Sequence, residues 1–122
     1  MSIAVKEISK KYGSQLAVNN ISFDVHTGEV VGFIGPNGAG KSTIYRILSG
    51  YLSATSGTIK VKDLDIWEDM IEIKKLIGYL PESAPIYRDM LVFDYLNYIA
   101  DIREVPQTNR LEHIRHLADL CS

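Results

Sequence analysis

The chain has little cysteine, no long apolar run and no excess of positive charge. Its single cysteine, Cys121, cannot form an internal disulfide or a multi-thiolate metal site. No stretch approaches the roughly 18 consecutive apolar residues that a membrane-spanning helix needs. The net charge of -2 provides no basic field for general nucleic-acid binding, so no nucleic-acid partner is expected. No secretory signal precedes the first predicted strand, and the expected location is therefore the cytoplasm.

What the chain does contain is typical of a globular domain, with 46% hydrophobic and 23% charged residues among its 122. Residues 35–43 have the sequence GPNGAGKST, which is a complete G-x-x-x-x-G-K-[ST] phosphate-binding loop. This pattern predicts binding of a nucleoside triphosphate.

Each residue type in the loop has a chemical reason. Glycines at Gly35, Gly38 and Gly40 let backbone N–H groups converge on a phosphate, because no Cβ intervenes and unusual backbone angles are allowed. Lys41 is expected to supply a charge to the β- and γ-phosphates, and Ser42 a hydroxyl to Mg²⁺. A helix that begins here would point its positive end at the ligand.

The flanks of the loop also fit a phosphate-binding site. The continuous apolar run at 30–34 predicts a strand buried on both faces of a mostly parallel sheet. A helix should start near Lys41 and end near Gly50. Its apolar face would be formed by Ile44, Ile47, Leu48 and Tyr51. These flanks disfavour the alternative of a glycine-rich turn that binds nothing.

Alternating apolar and polar residues predict an antiparallel layer of early strands. The strands are expected at 3–8, 21–25 and 58–62, with a slip in the first one near Glu7 and a tight turn at Thr27-Gly28. A helix over 68–76 should lead into a short strand at 77–80 that runs parallel to 30–34 and stops at Pro81.

The C-terminal third is predicted to be helical. One helix is expected over 91–102 and a second over 109–121, where Asn109 and Glu112 occupy capping-box positions. The apolar face of the second helix would be formed by Leu111, Ile114, Leu117, Ala118 and Cys121. His113 and His116 lie three residues apart on this helix. Two histidines, however, do not complete the four ligands of a zinc site.

The sequence resembles the ATP-binding cassette (ABC) ATPases. The resemblance rests on KKYGSQLAVNNISFDVHTGEVVGFIGPNGAGKSTIYRILSGYLSATSGTIKV and IGYLPESAPIYRDMLVFDYL, and covers nearly the whole chain. It implies an α/β P-loop NTPase fold with a RecA-like core, an antiparallel β subdomain and the beginning of a helical subdomain. The first two would occupy 1–82 and the third 83–122, as the N-terminal portion of the ATP-binding domain.

The resemblance also implies a binding site for ATP and Mg²⁺. Tyr12 would stack on adenine with Val18 packed beside it, and such stacking is worth about 1 to 3 kcal/mol per base. Lys41 and Glu82 would be catalytic, and Ser42 and Glu82 would hold the metal. The phosphate-contacting set implied by the family comprises Gly35, Pro36, Asn37, Gly38, Ala39, Gly40, Lys41, Ser42 and Thr43.

The sequence departs from the family pattern in two places. Glu82 stands where the family usually has a glutamine that touches Mg²⁺ and the attacking water. A carboxylate can ligate Mg²⁺ but cannot donate a hydrogen bond when ionised. The segment LPESAPIY resembles the two-component (ABC-2) exporters, including gliding-motility-type transporters. The second departure is that the Leu-Ser-Gly-Gly-Gln signature, the Walker B carboxylate with its catalytic glutamate and the switch histidine do not occur in these residues.

The expectation is therefore an N-terminal piece of a nucleotide-binding subunit that hydrolyses ATP in full length to drive transport, with export as the expected direction. Its partners would be a membrane permease, contacted near Ile86, Tyr87 and Arg88, and a second ATPase subunit arranged head to tail. The protein would lie at the cytoplasmic face of the membrane. Hydrophobic edge surface should favour self-association of the piece. The alternatives are a soluble ABC ATPase acting on nucleic acid or ribosomes, and a non-hydrolysing nucleotide-binding module.

Overall fold

The structure, a computed structural model, describes residues 2–83 and 86–121. It divides into two compact units, Met1–Tyr79 and Leu80–Ser122. The predicted division into 1–82 and 83–122 concerns domains of a longer protein and stays a prediction. Ala84 and Pro85, within the exporter-like segment, lie outside the described residues. Among the residues described, no helix is both long and apolar enough to cross a membrane.

The first unit is built on an antiparallel sheet of four strands in the order β2-β1-β3-β4. The strands are β1 (Ile3–Tyr12), β2 (Gln15–Val25), β3 (Ser56–Val61) and β4 (Leu64–Asp65). Val5 in the central strand pairs with Phe23 on one side and with Ile59 on the other. The predicted antiparallel layer is therefore confirmed. The short strand β4 was not predicted.

The predicted slip near Glu7 is a β-bulge. Register shifts separate Val5 from Ile8 in the pairing of β1 with β2, and Glu7 has a φ of 53°. Gly57 of β3 lies directly against this bulge, because a Cβ built on it would be 2.5 Å from the carbonyl oxygen of Glu7. A bulge keeps Val5 and Ile8 on the same buried side despite their spacing of three.

Where the register of β1 and β2 is irregular, serine hydroxyls accept hydrogen bonds from backbone N–H groups. The backbone N–H of Glu7 donates to Oγ of Ser22 at 2.8 Å, and that of Asn20 donates to Oγ of Ser9 at 2.9 Å. Asn20, like Glu7, has a positive φ, of 49°. The short polar side chains of the strands thus satisfy donors that would otherwise lack a partner.

Two helices cover one face of the sheet. They are α1 (Lys41–Leu48) and α2 (Met70–Leu76). Ile47 of α1 and Ile73 of α2 are fully buried in one cluster with Ile8 and Ile59. Gly50 adopts a φ of 68° just beyond α1, which confirms the predicted stop. The remaining core members are Val5, Val18, Ile44, Ala54, Val61 and Ile66.

Two predicted strands are wrong. Within residues 2–83 and 86–121, neither 30–34 nor 77–80 forms a strand. The side chains of Val30 and Ile34 are 97% and 100% exposed, and that of Leu80 is 86% exposed. An apolar run indicates a tendency to be buried, but a parallel strand also needs a neighbour with which to form its ladder. In the described part of the chain the sheet contains only β1 to β4, and neither segment belongs to it.

The segment before the phosphate loop is instead fixed by one aromatic side chain. The ring of Phe33 packs edge-on against Phe23 of β2, at a centroid distance of 4.9 Å, and against Tyr45 of α1, at 5.4 Å. Edge-to-face pairs of this kind contribute about 0.5 to 1.5 kcal/mol beyond area burial. Phe33 therefore places the chain between sheet and helix two residues ahead of the loop.

The second unit is helical, as predicted. Its elements are α3 (Val92–Ile102), a 3₁₀ turn (Gln107–Asn109) and α4 (Arg110–Cys121). The guanidinium of Arg110 donates to the carboxylate of Asp101 at 2.5 Å and to the carbonyl oxygen of Val105 at 2.5 Å, which ties the start of α4 to the end of α3. Of the predicted apolar face of α4, Ile114 is buried, while Leu111 and Leu117 are about half exposed.

Candidate functional site

The phosphate-binding loop doubles back on itself immediately before α1. Gly38 and Gly40 have φ values of 84° and 89°, a region that residues with a Cβ rarely adopt. The backbone N–H of Ala39 donates to the carbonyl oxygen of Pro36 at 3.2 Å and closes the turn. The glycines at these two positions are therefore required by the backbone conformation of the loop.

Gly40 has a second role that sequence reasoning did not find. A Cβ built on it would lie 2.6 Å from the carbonyl oxygen of Ala17 and 3.2 Å from Cγ2 of Val18, both in β2. The start of α1 can therefore approach the backbone of β2 only because position 40 is glycine. No local sequence signal reveals this, since the contact joins residues more than 20 positions apart.

The ammonium group of Lys41 lies over the loop. Its Nζ donates to the carbonyl oxygens of Gly35 at 2.5 Å and of Pro36 at 2.7 Å. The side chain thus turns back from the first residue of α1 toward the segment that leads into the turn. This arrangement places a positive charge against the first two residues of the loop for which the motif predicts phosphate binding.

The amino end of α1 adds to this positive potential. Its N-cap is Gly40, which has no side chain, and the first turn contains Lys41, Ser42 and Thr43 but no acidic residue. The first N–H groups of a helix lack intrahelical acceptors and carry its positive dipole end. Ser42 is exposed in this turn, so its hydroxyl is free to face a ligand. Together with Lys41 these groups form a site for a polyanion.

Tyr12 is the last residue of β1, at the hairpin that leads into β2. Its ring is 47% exposed, and its Cα is paired with Gln15. Gln15 is two residues along β2 from Ala17, whose carbonyl oxygen lies against Gly40. An exposed aromatic residue is therefore paired with the start of the strand that supports the loop.

Val18, by contrast, is a core residue. Only 5% of it is exposed, and its Cγ2 supports Gly40 from the side of the sheet. Its effect on the site is therefore to hold the loop in place. A direct contact with the adenine base stays a prediction.

The remaining predicted site residues lie in the second unit. Glu82 is exposed, and its role as a metal ligand stays a prediction. Ile86 and Tyr87 are both more than half exposed. The ring of Tyr87 contacts Tyr95 and Tyr98 of α3, at centroid distances of 6.4 and 6.1 Å. Within the described residues no group of three or more His, Cys, Asp or Glu side chains could hold a metal ion.

Comparison with known proteins supports this account of the fold and the loop. The family model for ABC transporters matches residues 18–120. The "Probable ABC transporter ATP-binding protein" of Azorhizobium caulinodans is 36% identical over 120 residues, which are 97% of this chain and 43% of that protein. The lipopolysaccharide export system ATP-binding protein LptB of Escherichia coli is 33% identical over 132 residues, covering 97% of this chain and 54% of LptB. A solved ATP-binding subunit of an ABC transporter superposes with a TM-score of 0.80 at 26% identity, covering 89% of this chain and 45% of that one.

The chain belongs to the ABC transporter family, and what it resembles within that family is the ATP-binding component. The predicted family and the α/β P-loop NTPase fold are thereby confirmed. The relatives are named as transporter components, so a soluble ABC ATPase acting on nucleic acid or ribosomes is not favoured. The chain spans about half the length of the curated relatives it matches.

Proposed function

We propose that this chain is the N-terminal part of the nucleotide-binding subunit of an ABC transporter, and that it binds ATP with Mg²⁺. In full length the subunit would hydrolyse ATP and couple the reaction to transport, with export as the direction. The observation that carries the proposal is the ammonium of Lys41 held over the loop, at 2.5 and 2.7 Å from two loop carbonyl oxygens and at the amino end of α1.

The triphosphate would be held by the loop backbone and by Lys41. The N–H groups that follow Gly38 and Gly40 and those of the first turn of α1 would donate to the phosphate oxygens, as at other helix amino ends that bind phosphate. Lys41 would neutralise the β- and γ-phosphates and fix their position relative to an attacking water. Removing its charge should therefore affect binding more than folding.

We propose that the bound triphosphate brings a magnesium ion with it. Mg²⁺ prefers hard oxygen ligands and keeps several waters when it binds beside phosphates. The exposed hydroxyl of Ser42 in the first turn of α1 supplies such an oxygen, and we propose the carboxylate of Glu82 as a second. The ion would neutralise charge on the phosphates during transfer.

The base would stack on Tyr12. Tyr12 is exposed at the hairpin end, and its pairing partner Gln15 is two residues along β2 from Ala17, which lies against Gly40. An aromatic face is worth about 1 to 3 kcal/mol for a stacked base, irrespective of hydrogen bonding. This contact would favour a nucleotide over inorganic phosphates.

We further propose two protein partners. One is a second ATPase subunit arranged head to tail, and the other is a membrane permease that contacts the region of Ile86, Tyr87 and Arg88. The exposed side chains of Ile86 and Tyr87, backed by the tyrosines of α3, support an interface there. A permease partner would hold the subunit at the cytoplasmic face of the membrane.

The proposal is tested by Lys41→Ala in the full-length protein. ATP binding is measured by calorimetry and folding by circular dichroism. We expect the variant to lose measurable ATP binding and keep its fold, because the loop is open to solvent and the Lys41 ammonium donates to loop carbonyls and not to a core residue. Lys6→Ala, which removes one exposed lysine of β1, is the control and should bind ATP like the wild type. Equal ATP affinity of folded wild type and Lys41→Ala would overturn the assignment.

A further inference from the structure

The side chain of Lys10 connects the ring of Tyr12 to the segment that follows α1. Its Nζ lies 5.3 Å from the centroid of the Tyr12 ring. The same atom donates a hydrogen bond of 2.7 Å to the carbonyl oxygen of Ser53. A lysine ammonium within about 6 Å of an aromatic centroid is attracted by the electrons of the ring face. Two interactions therefore hold this ammonium in place.

The acceptor of that hydrogen bond is itself fixed to β1. The backbone N–H of Lys11 donates to Oγ1 of Thr55 at 3.0 Å, and the backbone N–H of Thr55 donates to the carbonyl oxygen of Ser9 at 2.9 Å. Ala54, between Ser53 and Thr55, belongs to the buried core. The Ser53 carbonyl thus belongs to a segment that is hydrogen-bonded to Ser9 and Lys11, the residues on either side of Lys10.

Lys10 also lies opposite the residue that supports the phosphate loop. In the β1–β2 pairing it is the partner of Val18, whose Cγ2 abuts Gly40. Residues 10 and 12 are two apart on β1, so they face the same side of the sheet. The ring of Tyr12, the ammonium of Lys10 and the side chain of Val18 therefore lie along the same side of the sheet.

We propose that Lys10 is a positioning residue for the nucleotide base, acting through Tyr12. The inference rests on the proposed function, in which Tyr12 stacks on adenine. A half-exposed tyrosine at a hairpin end loses rotamer freedom when a base stacks on it, and a ring that is already held avoids part of that loss. The ammonium occupies one face of the ring and leaves the other face for the base.

The test uses Lys10→Met in the full-length protein. Methionine keeps an unbranched apolar side chain but removes the charge. We expect ATP affinity to fall about two- to fivefold, corresponding to an exposed cation–π contact, while the affinity for inorganic tripolyphosphate stays unchanged. Lys10→Arg, which keeps a cation over the ring, should restore the affinity for ATP. Lys11→Met removes the same charge one residue away, at an exposed position of β1, and should bind both ligands like the wild type.

A double variant decides whether Lys10 acts through the ring. In a Tyr12→Ala background, Lys10→Met should cause no further loss of ATP affinity. Unchanged ATP affinity in Lys10→Met, an equal loss for ATP and tripolyphosphate, or an equal loss with and without Tyr12 would each overturn the inference. If Lys10→Met does not fold, Lys10→Gln, which keeps a donor for the Ser53 carbonyl, is judged by the same outcomes.

Failure of the inference about Lys10 can be distinguished from failure of the proposed function. If the wild type does not bind ATP, or binds it equally without Lys41, the nucleotide assignment itself is wrong. If ATP binding depends on Lys41 and on Tyr12 but not on Lys10, only the inference about Lys10 fails.

Discussion

At the scale of single residues, the two glycines of the loop with positive φ have different physical requirements. Gly38 has a φ of 84° and open space where a Cβ would stand. Gly40 has a similar φ of 89°, but a Cβ there would overlap the backbone of Ala17. The motif gives no reason to distinguish the two glycines. In the structure, Gly38 is needed only for its backbone conformation, whereas Gly40 is needed for its conformation and for close packing against β2.

This difference predicts unequal effects on stability. Gly38→Ala should lower the free energy of unfolding by about 1 to 2 kcal/mol, since only the left-handed conformation is unfavourable for alanine. Gly40→Ala should lower it by about 2 to 4 kcal/mol, because overlap with Ala17 and Val18 adds to the same backbone term. Urea denaturation of residues 1–122 measures both values. Equal losses in the two variants would show that α1 does not approach β2 as closely as described.

At the scale of elements, residues 30–34 are held against the core by one side chain, Phe33, and not by the hydrogen bonds of a strand. Its apolar character predicts a buried strand, yet Val30 and Ile34 are almost wholly exposed and only Phe33 packs against the core. The ring of Phe33 lies between β2 and α1 through Phe23 and Tyr45. The position of the phosphate loop relative to the sheet therefore depends on this aromatic contact.

Substitutions in the segment distinguish the two arrangements. In residues 1–122, Phe33→Ala should lower the free energy of unfolding by about 2 to 4 kcal/mol, slightly below the range for a fully buried phenylalanine. Ile34→Ala should change it by less than about 0.5 kcal/mol, as expected for an exposed side chain. The measurement is again urea denaturation. A loss of about 2 to 5 kcal/mol for Ile34→Ala would instead indicate a buried strand, as the sequence predicts.

Local signals in the sequence were sufficient for much of this fold. The change of period near Glu7 predicted the bulge, and Gly50 predicted the end of α1, because each depends on neighbouring residues alone. The phosphate loop was found in the same way. The strand at 30–34 was predicted wrongly because its existence depends on a distant pairing partner. The packing of Gly40 against Ala17 and the hydrogen bond from Lys10 to the Ser53 carbonyl also join distant positions, and neither could be derived from the sequence.

At the scale of the whole molecule, each unit leaves large apolar side chains in contact with solvent. In the first unit these include Val30, Ile34 and Tyr51, and in the second unit Leu91, Val92 and Ile102. Contiguous exposed apolar surface is a common cause of association between chains. The expected self-association of residues 1–122 stays a prediction. Their activity should therefore be measured over a range of protein concentrations.

The last prediction is that residues 1–122 release no phosphate from ATP above background, at any protein concentration, and bind ATP weakly or not at all. The loop supplies positive charge at Lys41, but the signature motif and the water-activating carboxylate expected from the family do not occur in this sequence. Association of two such chains adds a second loop and neither of the missing groups. Positioning of reactants can account for about 7 to 11 kcal/mol of a barrier, so their absence should reduce turnover to almost nothing. The assay compares phosphate release by residues 1–122 and by their Lys41→Ala variant over a range of concentrations. Steady release that depends on Lys41 would show that these residues are a complete enzyme of another kind.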